Sequence, residues 1–381
     1  MSMELRYGPK KRLMAFLLEV AGFFLLKPLN LFRKSSPQSI RKILLIEPFQ
    51  MGDIVALSAL FEPLKKRYPE ARLFVLGKKG PVAVANFLAE VDEVLDAPFP
   101  WSAKGGEKAS WKEWIRAMWK LRVHRFDLGI DVRGDVRSHL SLLLAGCGFL
   151  LSYRRYIYSD IYNHGLLCDV EVGEEHGSHV FDKNRFLLTG LGFSNAELFP
   201  IRFPLFSLKQ TAVSNPLEGS VLLHIGSSWK YKMWPHANWA ELAIRLKKDF
   251  QVEPVLVAGP GEDKEVQEIQ DRIPGDWKPE VLFPSLPQLL QLLSKARLLI
   301  GADSGPMCIA NCLNTPRIAI FGPGLPPVWE PYQQPHLALQ DVKNYSCYPC
   351  IQKTCFHPDQ PCTSRISVSH VLHTLTTHQL A

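Results

Sequence analysis

Short, continuous apolar runs alternate with longer amphipathic stretches along most of this chain. Lys42-Ile43-Leu44-Leu45-Ile46 opens the series, followed by a polar turn and a helical pattern over 53–67. Further strands are expected at 72–77, 93–96 and 127–132, with helices over 81–90, 110–123, 136–148 and 178–192. The pattern resumes with strands at 221–225, 254–258, 280–283, 297–301 and 317–321, a helix over 236–250 and a last helix over 367–377. Apolar runs bounded by turns suit strands buried on both faces, and strand-helix alternation predicts parallel sheets. The Ser-, Thr-, Asn- and Pro-containing stretch 206–219 reads as a linker. An α/β chain results, with an N-terminal domain at 41–205, a C-terminal domain at 220–345, and a Cys-rich segment with a terminal helix at 346–381. A chain of 381 residues is long enough for two full cores.

Chemistry concentrates in the turns that end these strands. At the carboxyl ends of parallel strands, open α/β sheets bind their ligands. In the first turn, Glu47 to Asp53, only Gly52 is a glycine, so the three-glycine dinucleotide fingerprint is absent and a nicotinamide-dependent enzyme is disfavoured. Asp53 there reads as a helix cap or a general base. In Gly226-Ser227-Ser228-Trp229-Lys230-Tyr231-Lys232, hydroxyls, backbone amides and an ammonium group suit a diphosphate. Asp303-Ser304-Gly305-Pro306 opens a helix whose first N–H groups suit a phosphate, although Asp303 or Ser304 could merely cap it. Glu262, after Gly259-Pro260-Gly261, could bond a ribose or simply begin a helix. Arg133 and Arg137, after the strand at 127–132, offer planar forks for an anionic acceptor across an interdomain cleft; Lys78 and the pair Arg154-Arg155 are weaker candidates for the same task. Neither a G-x-S-x-G elbow nor an H-E-x-x-H motif is present, so serine-nucleophile and zinc-protease chemistry lack support.

Charge placement changes the picture at the N-terminus. Residues 1–42 hold nine Lys or Arg against two Glu, which accounts for the whole net charge of +7. The rest of the chain is neutral, unlike a nucleic-acid-binding body, and no nucleic-acid partner is expected. The basic residues flank a fourteen-residue apolar run, Leu13 to Leu26, too short to span a bilayer comfortably and lacking a signal-peptidase site after it. Residues 1–40 are therefore expected to form a membrane-associating tail. Residues 10–34 would lie on the anionic inner face of the cell membrane and hold a cytoplasmic enzyme there peripherally. Packing against the protein's own body is the other reading.

Cys347, Cys350, Cys355 and Cys362 form C-x2-C-x4-C-x6-C, with His357 inside it. The C-x2-C pair resembles half of a structural zinc site.

Taken in order, MGDIVALSALFEPLKKRYP, SSWKYKMWP, DSGPMCIANCLNTPRIAIFGP and the late cysteines resemble glycosyltransferase family 9, which includes the ADP-heptose:lipopolysaccharide heptosyltransferases. The resemblance runs from about Lys42 to the C-terminus. It implies a GT-B architecture, two Rossmann-like domains facing a cleft, with the last helix returning to the first domain. It also implies inverting transfer that requires no cofactor, from a nucleotide-sugar donor such as ADP-heptose to a lipopolysaccharide core or related lipid-linked glycan. By the same resemblance Asp53 matches the catalytic base. Ser227, Ser228 and Lys232 match donor-phosphate contacts, and Asp303, Ser304 and Gly305 the donor-sugar loop. Cys308 departs from the family, which often has histidine there. A transferase for another nucleotide sugar, or a non-catalytic sugar-nucleotide or glycan-binding protein of the same fold, are the alternatives.

Overall fold

The structure, a computed structural model, describes residues 39–102, 109–153, 170–172, 179–201, 203, 206, 217–332, 334, 337–348, 350 and 355–380. Residues 1–38 of the expected tail, Arg154-Arg155 and most of the expected linker lie outside them. The chain divides into two compact units, residues 1–204 and 205–381.

The first unit contains β1 (Lys42–Glu47), β2 (Arg72–Lys78), β3 (Glu93–Ala97), β4 (Leu128–Asp131), β5 (Phe149–Tyr153) and β6 (Val170–Val172). All pair in parallel, in the order β3-β2-β1-β4-β5-β6. Its helices are α1 (Met51–Ala56), α2 (Phe61–Arg67), α3 (Trp111–Leu121), α4 (Val136–Leu144), α5 (Val180–Phe186) and α6 (Asn195–Leu198). Leu44 and Ile46 of β1, Phe74 and Leu76 of β2, Trp114 and Met118 of α3 and Leu142 of α4 share one buried core.

The second unit repeats the plan with β7 (Val221–His224), β8 (Pro254–Val257), β9 (Glu280–Leu282), β10 (Leu298–Ala302), β11 (Arg317–Phe321) and β12 (Ala338–Gln340), ordered β12-β11-β10-β7-β8-β9. Counted from its own first strand, this is the same 3-2-1-4-5-6 order, that of doubly wound nucleotide-binding sheets. Helices α7 (His236–Phe250), α8 (Asp263–Gln270), α9 (Leu286–Lys295), α10 (Gly305–Cys312), α11 (Pro326–Trp329) and α12 (Val368–Thr377) complete it.

Two local differences from the sequence reading stand out. The helix expected over 53–67 is split by a 3₁₀ turn at Leu57–Leu60, because Pro63 has no N–H to give the carbonyl four residues back. The strands β5, β6 and β12 were not anticipated; the last two have three residues each, too few to show a period. The buried face of the last helix belongs to the second unit: Val371, Leu372 and Leu375 of α12 lie in its core with Trp239 and Leu246 of α7.

That terminal segment clamps the loop after β7. Trp234 is buried, its ring 4.9 Å edge-to-face from Trp239, and its Nε1–H donates to the Ile366 carbonyl at 2.9 Å. One residue earlier the Met233 carbonyl accepts from Thr363 Oγ1 at 2.9 Å. Lys232 therefore stands on a backbone pinned from the C-terminal side. Trp234→Phe keeps most of the buried ring and removes the indole donor. It should cost at least about 1 kcal/mol in urea unfolding of the full chain; a midpoint equal to that of the unsubstituted protein would show that the clamp contributes nothing.

Candidate active site

In the first unit the register of β1 and β4 sets Ile46 beside Asp131, so the loops leaving both strands start level. The β4 loop is built around Asp131, which is fully buried. Its carboxylate accepts from the backbone N–H groups of Arg133 and Asp135, each at 3.0 Å, from Ser152 Oγ at 3.0 Å, and lies 3.0 Å from His139 Nε2. Burial alone would raise its pKa. The His139 contact and charge, with the two backbone donors, overcome that and hold it below the usual carboxylate value.

The loop so fixed aims Arg133 back at β1. Its Nη1 lies 3.2 Å from Asp53 Oδ1 and 3.5 Å from Glu47 Oε2, and its guanidinium stacks 4.2 Å over the Phe49 ring. Asp53 sits at the third position of α1, and its other oxygen, Oδ2, accepts from the Gln50 N–H at 3.1 Å. Both readings of Asp53 are thus served at once, one oxygen capping the helix and the other held by Arg133. Glu47, missed by the sequence reading as a site residue, is buried at the end of β1, where a charged side chain is rare. Burial, reinforced by the charges of Asp53 and Asp131, pushes its pKa up to about 8 against the pull of Arg133. Arg137 and Lys78 do not join this group. Arg137 Nε donates to Asp135 at 2.9 Å and its guanidinium lies 5.3 Å from the Trp101 ring centroid. Lys78 Nζ donates to the Ser102 carbonyl at 3.4 Å.

The second unit has the same layout. His224, ending β7, pairs with Gly301 of β10, so these two loops also leave side by side. Lys232 Nζ lies 2.6 Å from Asp303 Oδ2, and Ser227 Oγ donates to the Asp303 carbonyl at 3.3 Å. Ser304 occupies the cap position of α10, yet its side chain makes no cap bond; its Oγ is 3.3 Å from His224 Nδ1. Burial alone holds the His224 pKa down to about 4, so the ring is neutral at physiological pH. Two glycines make this packing possible, Gly226 from the turn marked in the sequence and Gly324, which the sequence reading missed. A Cβ on Gly324 would meet Asp303 Oδ2 at 2.3 Å, and one on Gly226 would meet Glu262 Oε1 at 2.0 Å. Glu262 folds back over that loop and takes the Gly259 N–H at 2.6 Å; burial leads in raising its pKa. Ser228 is exposed on the same turn and Gly305 begins α10.

The four clustered cysteines and His357 line a cavity of about 20 Å³, walled by Trp229 and Tyr231 from the Lys232 loop. Burial, then the neighbouring Cys350 and Cys355, pushes the Cys362 thiol up to about 11. Among the described residues no three His, Cys, Asp or Glu side chains are grouped to hold a metal ion.

Glu47 gives this geometry a measurable pH signature. A carboxyl whose folded pKa is raised contributes stability that is complete below its unfolded pKa, near 4.5, and is lost as pH rises through about 8. Glu47→Gln should remove that slope, so the difference in unfolding free energy between variant and parent should shift in the variant's favour by up to a few kcal/mol between acidic and mildly alkaline pH. Parallel pH dependences in urea titrations of the two proteins would overturn the assignment.

Residues 114–359 match the model of glycosyltransferase family 9 (heptosyltransferase). Lipopolysaccharide heptosyltransferase 1 of Pseudomonas aeruginosa is 23% identical over 82% of this chain and 87% of its own length. Among solved structures, Escherichia coli ADP-heptose lps heptosyltransferase II superposes with a TM-score of 0.64 at 22% identity, covering 88% of this chain and 98% of that one. The E. coli heptosyltransferase WaaC with ADP-2-deoxy-2-fluoro heptose gives 0.65 at 18% identity, covering 88% and 99%. With the family model spanning well over half of its residues and two successive Rossmann-like units beneath it, this chain belongs to glycosyltransferase family 9, the heptosyltransferases.

Proposed function

We propose that this enzyme transfers heptose from ADP-heptose to a lipopolysaccharide core or a related lipid-linked glycan, with inversion, at the inner face of the cell membrane. The observation that carries the reading is the paired-loop layout of both units. A carboxylate is oriented by an arginine in one, and an ammonium oriented by a carboxylate beside a helix start in the other. Relatives bearing the heptosyltransferase name, and one solved with an ADP-heptose analogue, support the donor.

In this reading the acceptor hydroxyl loses its proton to Asp53 and attacks the anomeric carbon. The carbon–oxygen bond to the donor diphosphate breaks and the electron pair stays with the departing ADP. Lys232 and the N–H groups at the start of α10 meet the charge that develops on that leaving group, which is the place where fixed dipoles accelerate a reaction most. Asp303 positions Lys232, and Ser227 braces the Asp303 backbone. Ser228, Ser304 and Gly305 contact the diphosphate and sugar, and Glu262 the ribose. Arg133, spent on Asp53 and Glu47, acts first as a positioning residue and only through its remaining edge as an acceptor contact. Arg137 and Lys78 meet the acceptor's anionic groups from farther out.

Asp53→Asn retains the shape and the Arg133 contact but cannot take a proton. Turnover should fall by about 10²–10⁴-fold with circular dichroism unchanged; near-normal kcat would remove Asp53 from the role. Lys232→Ala removes one charged hydrogen bond, typically worth ~1.5–3 kcal/mol. Calorimetry with ADP should show weaker binding by roughly that amount, and an unaltered Kd would place the diphosphate elsewhere.

A further inference from the structure

Helix α3 carries two apolar faces. One, with Trp114 and Met118, is buried in the core of the first unit. The other consists of Trp111, Ile115 and Trp119, continued by Val123 in the turn that follows, at intervals of four residues. These side chains are 54%, 47%, 59% and 79% exposed, and among the described residues only Phe283 and Phe356 are comparably exposed large hydrophobics. A helix that has already satisfied its core has no packing reason to carry a second apolar stripe.

A cationic row runs beside the stripe. Lys112, Arg116 and Lys120 repeat at the same interval, one residue farther round the helix, and all are exposed. Arg122 extends the row, its guanidinium 4.7 Å from the Trp119 ring centroid. The single acid of α3, Glu113, is occupied in the capping box, accepting from the Ser110 N–H at 3.3 Å.

We propose that this face of α3 docks on an anionic phospholipid bilayer. Indole rings settle at the headgroup boundary, where one end of the ring is apolar and the other wet. Lysine and arginine beside them reach the phosphates while their stems cover apolar surface. A single stripe backed by protein is the form that lies in an interface rather than crossing it. Charge selects this occupant over two others. A second copy would bring two cationic rows together, and the chain's own run at 13–26 is likewise flanked by lysines and arginines. The surface is separate from residues 10–34, and its assignment does not depend on the transferase reading.

The test exploits the placement of tryptophan. All nine lie at or beyond Trp101, so membrane contact by the N-terminal residues is silent in tryptophan fluorescence. The full chain is mixed with vesicles of phosphatidylcholine and phosphatidylglycerol whose acyl chains are dibrominated, which quenches indoles that touch them. Vesicle-bound protein should be quenched, and Trp111→Phe with Trp119→Phe should abolish most of that quenching while the protein still sediments with the vesicles. Lys112→Glu, Arg116→Glu and Lys120→Glu together should weaken partitioning by about tenfold or more, with the fold intact by circular dichroism and no effect on pure phosphatidylcholine vesicles. The proposal is overturned if bound protein keeps its full fluorescence, or if the double Phe variant is quenched as strongly as the parent. It is equally overturned if the charge reversals leave partitioning unchanged, or if Trp111→Ser with Trp119→Ser converts a dimer to a monomer in sedimentation, which would make the stripe a contact between copies.

Discussion

In each unit the first and fourth strands lie side by side, and the loops that leave them begin at the same level. Their crossover helices depart over opposite faces of the sheet, so a crevice opens between the two loops at the carboxyl edge. Neither loop can retreat, because the strands beneath are hydrogen-bonded on both sides and buried on both faces. Everything chemical in the described structure hangs on that adjacency: Asp53 meets Arg133, and Lys232 meets Asp303, only because the sheet order puts their loops together.

Buried charge is expensive, and the first unit handles it by layering. Asp131 is surrounded by donors and kept ionised, which ties the backbone of Arg133 and Asp135 to the end of β4. With its backbone tied there, Arg133 presents its guanidinium to two carboxylates. A lone cation between Glu47 and Asp53 cannot fully satisfy both, and the more buried of the pair holds its proton into the neutral range. Asp53, less buried and held through both oxygens, keeps a defined direction at the mouth of the loop.

The second unit uses packing where the first uses charge. Trp234 and Thr363 fasten the residues that follow Lys232 to the C-terminal segment, and glycines at 226 and 324 admit carboxylates where any side chain would collide. The cysteine cavity borders the same loop through Trp229 and Tyr231.

The sequence by itself determined the element types and most of their limits. Continuous apolar runs of strand length, separated by amphipathic helices, admit little other than parallel sheets. The turns at Asp53, Lys232 and Asp303 were legible because a polar cluster ending such a run is chemically conspicuous. The terminal helix was legible as a helix but not in what it packs on, because amphipathicity says that one face is buried without saying against what. Glu47 gave no signal, being one more residue at the end of a strand, and neither did Gly324; Gly226 was legible as a turn glycine but not in the carboxylate it admits. Their roles come from side chains far away in sequence, Arg133, Glu262 and Asp303, brought near by strand order. Pairing of distant loops is a property of topology, and no local spacing encodes it.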